Sequence, residues 1–567
     1  MSQPLPQASR APDGHWPLLP LILAATGLFP LLAALRHLDD NSLTSWAWVL
    51  EGRDLVGLWV LHLVVISAAL LLSRRAPPDG WRLPTAVLAA FSAGIALAGE
   101  PEVVIDASRY FVQAKYLELF GPSAFFRDWG GVVPAWTDLP LPAFLYGVVF
   151  RLCGEHRLPQ QVFTAGLFAL TAFATARIGE LLWGPRTGAR GALLLLAIPC
   201  LLVQVPLLMA DVPAMAAVTT ALWFFLETLE RRGAWRIAAA ALALGAALLA
   251  KYSTWVLLGA AFGLILALEG LRGRWTAAGR GAVAVATGAL APAIFSLVKP
   301  GLVQGQLALL AGFQWEGLRR WVESYPSTFL FQTHPLLAAA ALAALWRGWR
   351  GRDQRVLVAA ALPLVLFALG ARRTRYLIPV FPMIALLAAR GLDVLPDRAR
   401  RFAALAAAGF SLVTVFAVYL PFLAWVNTAN LQAAGRFLDE HGARTAEVTA
   451  RPAPGVAINP EVAVPLLDYH TAARIVVRSP AQPPPPQEEL RASSFRFTWE
   501  ERLPSWYRDS APAQSDAAQV LIAGDPDAEI PPELARKVGV RMPDGVFARD
   551  AIFRYRTFVY IWLAPTH

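Results

Sequence analysis

Long apolar runs separated by short polar loops fill the chain from about residue 16 to residue 425. A transmembrane helix needs about 20 apolar residues, with a working range near 17–25. On that scale the pattern predicts about thirteen spans and therefore an α-helical polytopic membrane protein. The predicted spans lie near 16–36, 55–73, 83–99, 160–183, 189–209, 212–229, 237–251, 253–269, 281–299, 334–348, 354–370, 376–390 and 402–425.

The charges of the loops set the predicted topology. With the N-terminus inside, every predicted cytoplasmic loop is basic, as the positive-inside rule expects. The short apolar segment Leu141–Cys153 is read as interfacial, because counting it as a span would reverse the sides of all later loops. This topology places the loop 100–159 outside, Asp211 and Lys251 at outer ends of spans, and the tail beyond Trp425 outside.

One predicted outer loop breaks the charge rule. Its sequence ARRTR contains Arg372, Arg373 and Arg375. Guanidinium groups match phosphate oxygens in pairs, so the cluster indicates an anionic headgroup site. The alternative is that these are ordinary juxtamembrane side chains that reach toward the headgroups.

Composition agrees with a membrane protein and narrows the chemistry. Of 567 residues, 56% are hydrophobic and 16% are charged, with a net charge of +10. The basic excess lies in loops between apolar runs, which favours topology control and argues against nucleic acid as a partner. Cys153 and Cys200 are too few for a disulfide framework, and the histidines lack metal-ligand spacing.

The tail from 426 to 567 changes character. An amphipathic pattern predicts a helix over Asn427–His441, and strands are predicted over Ala473–Arg478, Gln519–Ala523 and Arg554–Leu563. The tail is long enough for one small extracytoplasmic α/β domain. We therefore expect three parts: two accessory spans in 1–82, a transmembrane core in 83–425 with its outer loop at 100–159, and a periplasmic domain in 426–567.

Carboxylates crowd the start of the predicted outer loop. Asp106 opens an apolar-sided stretch, DASRYFVQAKYLELFG, which predicts a helix lying in the membrane interface. Asp106 is either the N-cap of that helix or a functional acid, and spacing alone does not decide between them.

Two more ionisable residues lie inside apolar stretches. Asp211 is a candidate site residue because charges at membrane depth are costly, although N-capping ahead of Pro213 is the alternative. Lys251 either reaches toward the headgroups or pairs with Asp211 or a bound phosphate. A carboxylate-held divalent metal stays open, because Asp106 and Asp211 could converge at one mouth.

Four motifs in order carry a family resemblance. They are IDASRYFVQAKYL with the later DLPLPAFLYGVVFRLCG, LLMADVPAMAAVTTALWFFL, LALGAALLAKYSTWVLL and RYLIPVFPMIALLAARGL. Together they make residues 83–425 resemble the GT-C superfamily of polyprenyl-phosphate-sugar-dependent glycosyltransferases. The pattern is most similar to bacterial relatives of protein O-mannosyltransferases and of lipid A aminoarabinose transferases.

The resemblance implies roles for individual residues. It implies that Asp106 is the catalytic carboxylate, acting as general base on an acceptor hydroxyl or through a metal, and that Asp211 is the second acid. It places Arg372, Arg373, Arg375 and Tyr376 near the donor phosphate, and Lys251 is added to that set as the lone cation of its span. Where relatives have a paired acid, this chain has Asp106 followed by Ala107, so Glu102 and Asp138 are candidate accessory acids.

The predicted function is transfer of a hexosyl or pentosyl group from a polyprenyl-phosphate donor to an extracytoplasmic lipid, glycan or protein hydroxyl. The expected location is the bacterial cytoplasmic membrane, with membrane lipids as further partners. Two alternatives stay open: a transporter or flippase of lipid-linked or acidic solutes, and a non-catalytic envelope-assembly protein.

Overall fold

The computed structural model describes residues 18–75, 77–102, 105–135, 138–314, 323–426, 428–452, 458–480, 483–493, 495–500, 503–508, 516–548 and 557–564. Most of these residues are helical. In chain order the α-helices, α1 to α25, are Leu18–Ala34, Trp46–Val49, Leu55–Leu72, Arg82–Ala96, Asp106–Asp128, Pro140–Cys153, Arg157–Trp183, Pro185–Leu194, Pro199–Leu202, Asp211–Glu230, Ala234–Ala250, Ser253–Leu271, Trp275–Val298, Pro300–Leu309, Pro335–Arg350, Gln354–Ala368, Thr374–Leu377, Phe381–Gly391, Asp397–Val413, Leu420–Leu423, Ala429–Glu440, Ala463–Asp468, Gln487–Ala492, Phe497–Glu500 and Pro532–Val538.

Seven helical stretches in the described part of the chain are long and apolar enough to cross a bilayer. They are Leu55–Leu72, Arg157–Trp183, Asp211–Glu230, Ser253–Leu271, Trp275–Val298, Thr374–Val394 and Asp397–Leu423. Shorter apolar helices accompany them, among them α1, α4 and α11. The chain is thus a multi-pass membrane protein, as predicted, and the count of thirteen spans stays a prediction.

The predicted span 189–209 is not one continuous helix. Helix α8 ends at Leu194, the backbone leaves the helical region at Ile198, and the short α9 begins at Pro199. Proline cannot donate a backbone hydrogen bond and clashes with the preceding turn, which explains the break. Leu201 and Leu202 are completely buried, and such irregular backbone is tolerated in a membrane protein where other helices surround it.

The N-terminal helices pack on the last long helix of the bundle. The His62 ring of α3 lies between the rings of Phe29 and Phe410, with centroid distances of 4.5 Å to each. Arg401 donates a hydrogen bond from Nε to the carbonyl oxygen of Ser73 at 2.9 Å. Between α1 and α3, residues 39–45 form a loop that enters the bundle.

The tail contains the predicted α/β fold. Strands β1 to β5 are Thr445–Arg451, Arg474–Val477, Ala518–Ala523, Gly545–Ala548 and Phe558–Trp562, and they form one sheet in the order β2-β1-β3-β5-β4. Strand β1 is parallel to both β2 and β3, whereas β5 is antiparallel to β3 and β4. The three predicted strands and the helix α21 are confirmed within the described residues, and Asn427 and residues 554–556 of the predicted elements lie outside them.

The tail contacts the membrane-embedded part beside the first large loop. Lys115 of α5 forms ion pairs with Asp468, at 2.8 Å, and with Glu155, at 2.7 Å. The Tyr469 hydroxyl donates a hydrogen bond to Gln160 Oε1 at 2.8 Å. These polar contacts join the sheet domain to α5 and α7.

Candidate active site

Two helices begin with the acids that the sequence singled out. Asp106 is the first residue of α5 and Asp211 is the first residue of α10. Neither side chain accepts a capping hydrogen bond, since the cap positions are Ile105 and Ala210. The N-cap alternatives are therefore wrong, and both carboxylates are directed to other partners. An acid in the first turn is still favoured by the helix dipole.

One arginine joins the two acids. The Arg375 Nη1 atom lies 3.1 Å from Asp106 Oδ2, and its Nη2 atom lies 3.0 Å from Asp211 Oδ2. Arg375 Nε lies 3.3 Å from the same oxygen of Asp211. A guanidinium presents its donors in a rigid plane, so it can serve two carboxylates at once. The predicted convergence of Asp106 and Asp211 is thus confirmed.

Lys251 completes the group. It follows the last residue of α11, and its Nζ atom lies 2.7 Å from Asp211 Oδ1. The same ammonium lies 5.7 Å from the ring centroid of Tyr376. Of the alternatives for Lys251, the structure shows the pair with Asp211. We call Asp106, Asp211, Lys251 and Arg375 the acid–base cluster.

The acid–base cluster is largely buried, but two of its side chains remain partly exposed to solvent. The Asp211 side chain is 1% exposed, whereas Asp106 and Lys251 keep 20% and 22% of their side-chain surface. Burial alone would raise the pKa of the Asp106 carboxyl, but the charges of Arg375 and Arg109 outweigh it and the pKa lies below its usual value. Asp106 is therefore ionised at neutral pH.

The neighbouring arginines differ from Arg375. Arg372 is exposed and its guanidinium carbon lies 5.6 Å from the ring centroid of Tyr325. Arg373 is half-buried and acts on Asp106 only as a more distant charge. Among the three arginines, Arg375 alone bonds to both acids, and the phosphate-binding roles of all three stay predictions.

Glu102 and Asp138 have separate partners. Glu102 is fully buried, accepts hydrogen bonds from the Leu208 backbone N–H and from Arg157, and burial raises its pKa. Asp138 is ion-paired with Arg109 and accepts a hydrogen bond from the Tyr110 hydroxyl at 2.8 Å. The sequence analysis did not single out Arg109. Its position one helical turn after Asp106 is the signal that could have identified it, because residues three apart lie on the same face of a helix.

The donor set does not suit a resident divalent cation. Across the described residues, no group of three or more His, Cys, Asp or Glu side chains is placed to hold a metal. The two carboxylates of the cluster are already neutralised by Arg375 and Lys251. Mg²⁺ and Ca²⁺ prefer several oxygen ligands, so we derive no step through a metal.

Comparison with known proteins gives a family match and a fold match. Residues 134–298 match the model of the dolichyl-phosphate-mannose-protein mannosyltransferase family. The chain is similar to the crystal structure of ArnT from Cupriavidus metallidurans bound to undecaprenyl phosphate, with 14% identity, a TM-score of 0.56 and coverage of 87% of this chain and 100% of that chain. For the apo state of the same protein the values are 14%, 0.54, 85% and 98%. No curated protein sequence gave a match.

The fold match covers most of both chains. The family match includes α6 to α13, and with them Asp138, Asp211 and Lys251, whereas Asp106 and Arg375 lie outside it. The predicted resemblance is confirmed to this extent: residues 134–298 match the mannosyltransferase family model, and the chain has an ArnT-like fold.

Proposed function

We propose that the protein is an integral-membrane glycosyltransferase that moves a sugar from a polyprenyl-phosphate donor to a hydroxyl on an extracytoplasmic acceptor. The observation that carries the proposal is the guanidinium of Arg375 between Asp106 and Asp211, with Lys251 on the far side of Asp211. The membrane glycosyltransferase class is supported by the mannosyltransferase family match and by the ArnT-like fold.

The donor class is supported by the chemistry of the cluster and by the relative. ArnT from Cupriavidus metallidurans was crystallised with undecaprenyl phosphate. In this chain Arg375 and Lys251 are the cations that a lipid phosphate would meet at the two acids. An arriving phosphate would compete with Asp106 for the guanidinium, because both are anions that accept from the same N–H groups.

That competition supplies a mechanism. The acceptor oxygen attacks the anomeric carbon while the bond from that carbon to the phosphate oxygen breaks. The hydroxyl proton passes to Asp106, whose pKa is low while Arg375 contacts it and rises toward a useful base when the phosphate draws Arg375 away. The leaving polyprenyl phosphate keeps its electron pair, and Arg375 and Lys251 stabilise its charge.

We also propose the location and organisation expected from the sequence. The cluster and the tail would lie on the extracytoplasmic side of the bacterial cytoplasmic membrane. Residues 1–82 would form an accessory part, 83–425 the core and 426–567 the periplasmic domain. The acid–base cluster supports one outward site. Its four residues lie in or beside loops that the charge pattern predicts on the outer side of the membrane.

The test is a transfer assay in membranes. Radiolabelled polyprenyl-phosphate hexoses and pentoses are offered to membranes containing the full chain, with and without chelator. Incorporation into lipid, glycan or protein is expected with one of these donors, and Asp106→Asn should abolish it while keeping the protein level. Asp128→Asn is the matched control, since Asp128 ends the same helix and contacts Arg127 and Tyr116 instead of the acid–base cluster. Full transfer by Asp106→Asn would show the base role to be wrong, and uptake of solute without transfer would favour the transporter alternative.

A further inference from the structure

A loop from the N-terminal helices reaches the residue beside Arg375. Glu323 is 4% exposed and its carboxylate has two different kinds of partner. One oxygen, Oε1, accepts hydrogen bonds from the backbone N–H and the hydroxyl of Ser42, at 3.3 and 3.0 Å. The other, Oε2, accepts from the backbone N–H of Thr374 at 2.6 Å. A single buried carboxylate thus joins the N-terminal loop to the start of the helix that carries Arg375.

The rest of the loop reinforces this junction. The Asn41 amide donates to Thr374 Oγ1 at 3.4 Å, and Thr44 Oγ1 donates to Gln332 Oε1 at 2.7 Å. Asp39 is buried and accepts from Ser327 Oγ, at 2.5 Å, and from Gln332 Nε2, at 2.8 Å. The loop is therefore bonded along its length to Thr374 and to the segment 323–332.

The geometry at Thr374 matters for Arg375. The helix Thr374–Leu377 has only one turn, and the side chain of its N-cap residue, Arg373, makes no capping hydrogen bond. Glu323 supplies the cap from a distant segment, because its Oε2 atom accepts the first N–H of the helix. A small cavity at the same junction is lined by Asn41, Gln204, Glu323 and Arg375, so the loop and Arg375 border the same cavity.

We propose that the N-terminal loop (residues 39–45) is a positioning element of the active site, which fixes Arg375 between Asp106 and Asp211 through Glu323 and Thr374. Ser42 and Glu323 are positioning residues, since neither contacts the two acids. On this view the N-terminal helices help to hold the catalytic residues of the core in place. The inference rests on the proposed function for its consequence in catalysis, while the positioning itself can be measured without it.

The experiment compares Ser42→Ala and Glu323→Ala with Glu323→Gln, which keeps one acceptor oxygen, in the full chain in lipid nanodiscs. The control is Asp54→Ala, which removes the N-cap of α3 in the same N-terminal part but touches none of these residues. Hydrogen exchange of the amides in 371–378 and thermal unfolding are measured for each variant. Sugar transfer is followed as kcat and as KM for the acceptor.

Ser42→Ala and Glu323→Ala should speed amide exchange over 374–376 and lower kcat by roughly 10- to 100-fold with little change in KM, as expected for misplaced catalytic groups. Glu323→Gln should change the exchange rate and kcat less than Glu323→Ala does, and Asp54→Ala should change neither quantity. Unchanged exchange at 374–376, or loss of kcat only in proportion to lost thermal stability, would overturn the proposal. Absence of transfer in the wild type would reject the proposed function, and the exchange rates would still decide whether the loop positions Arg375.

Discussion

The guanidinium of Arg375 bonds to both Asp106 and Asp211, at 3.1 and 3.0 Å. It thereby joins the first turn of α5 to the first turn of α10, two helices that the chain separates by α6 to α9. Three of the four charged groups in the acid–base cluster are linked through this one side chain. Its removal should affect folding and chemistry in different ways.

Replacing Arg375 by Ala should reduce transfer by on the order of 10²–10³-fold, the usual loss when one preorganised charge stabiliser is removed. It should also lower the stability by about 3–5 kcal/mol, because it leaves the largely buried Asp106 without its ion-pair partner and Asp211 with Lys251 alone. Transfer assays and thermal unfolding in detergent measure the two effects.

The double variant Arg375→Ala with Asp106→Ala separates them. It should recover part of the stability, because the carboxylate that lost its ion-pair partner is gone, without recovering transfer. Recovery of transfer in the double variant would contradict the assignment of Arg375 to the donor phosphate.

Glu102 should be needed for stability more than for chemistry. Glu102→Ala leaves the Leu208 N–H and the buried Arg157 without their acceptor, so a loss of about 3–5 kcal/mol is expected. Glu100→Ala is the control, two positions away and only half-buried, and should cost about 1 kcal/mol or less. A Glu102→Gln protein that unfolds like the wild type but does not transfer sugar would instead make Glu102 an accessory acid.

Asp39 should make stability depend on pH. Burial, opposed by four hydrogen bonds, raises the pKa of Asp39 from 3.8 to about 6. A raised pKa in an acid means that the folded protein binds the proton more tightly than the unfolded chain. The contribution to stability is thus fully present below pH 3.8 and is lost, by up to about 3 kcal/mol, as the pH rises through about 6.

Asp39→Asn isolates this contribution. The wild type should gain thermal stability relative to Asp39→Asn when the pH falls from about 7.5 to about 5. The other acids contribute equally to the wild type and to Asp39→Asn. The difference between the unfolding temperatures of these two proteins therefore reports the titration of Asp39. A difference that does not change with pH would show that Asp39 has an ordinary pKa.

Gly391 should not tolerate a side chain. A Cβ atom at this position would lie 1.8 Å from the Ala340 carbonyl oxygen, so the helices Phe381–Gly391 and Pro335–Arg350 would have to separate. Gly391→Ala should therefore lower the unfolding temperature and the yield of folded protein. Gly279→Ala is the matched control, because that exposed helical glycine has no atom within 4 Å of a Cβ and alanine favours the helix. Equal stability of both variants would contradict the close approach.

Much of this arrangement follows from local sequence signals. The start of α5 at Asp106 follows from its apolar periodicity, and β3 and β5 follow from short apolar runs. The convergence of Asp106 and Asp211 follows from counting spans, because loop charges assign both residues to one side. Strand β1 was not predicted, since its sequence TAEVTAR includes the buried Glu447, whose partners Arg478 and Lys537 come from distant segments.

Other parts depend on contacts that no local pattern encodes. Three arginines within four positions are equivalent in sequence, and only the register of the one-turn helix Thr374–Leu377 selects Arg375 for the two acids. The bond from Ser42 to Glu323 joins residues 281 positions apart. The break at Ile198, by contrast, has a local signal in Pro199, which the predicted span 189–209 did not take into account.

The acid–base cluster has two negative and two positive side chains, so its charges cancel within a few ångströms. A group of this kind creates almost no field at a distance. The cluster itself would therefore capture a lipid phosphate only on contact, and steering from afar would come from the neighbouring cations Arg372 and Arg373. The rate of donor capture should accordingly depend on ionic strength only as far as these two arginines contribute to it, and collision frequency within the bilayer would set its upper limit.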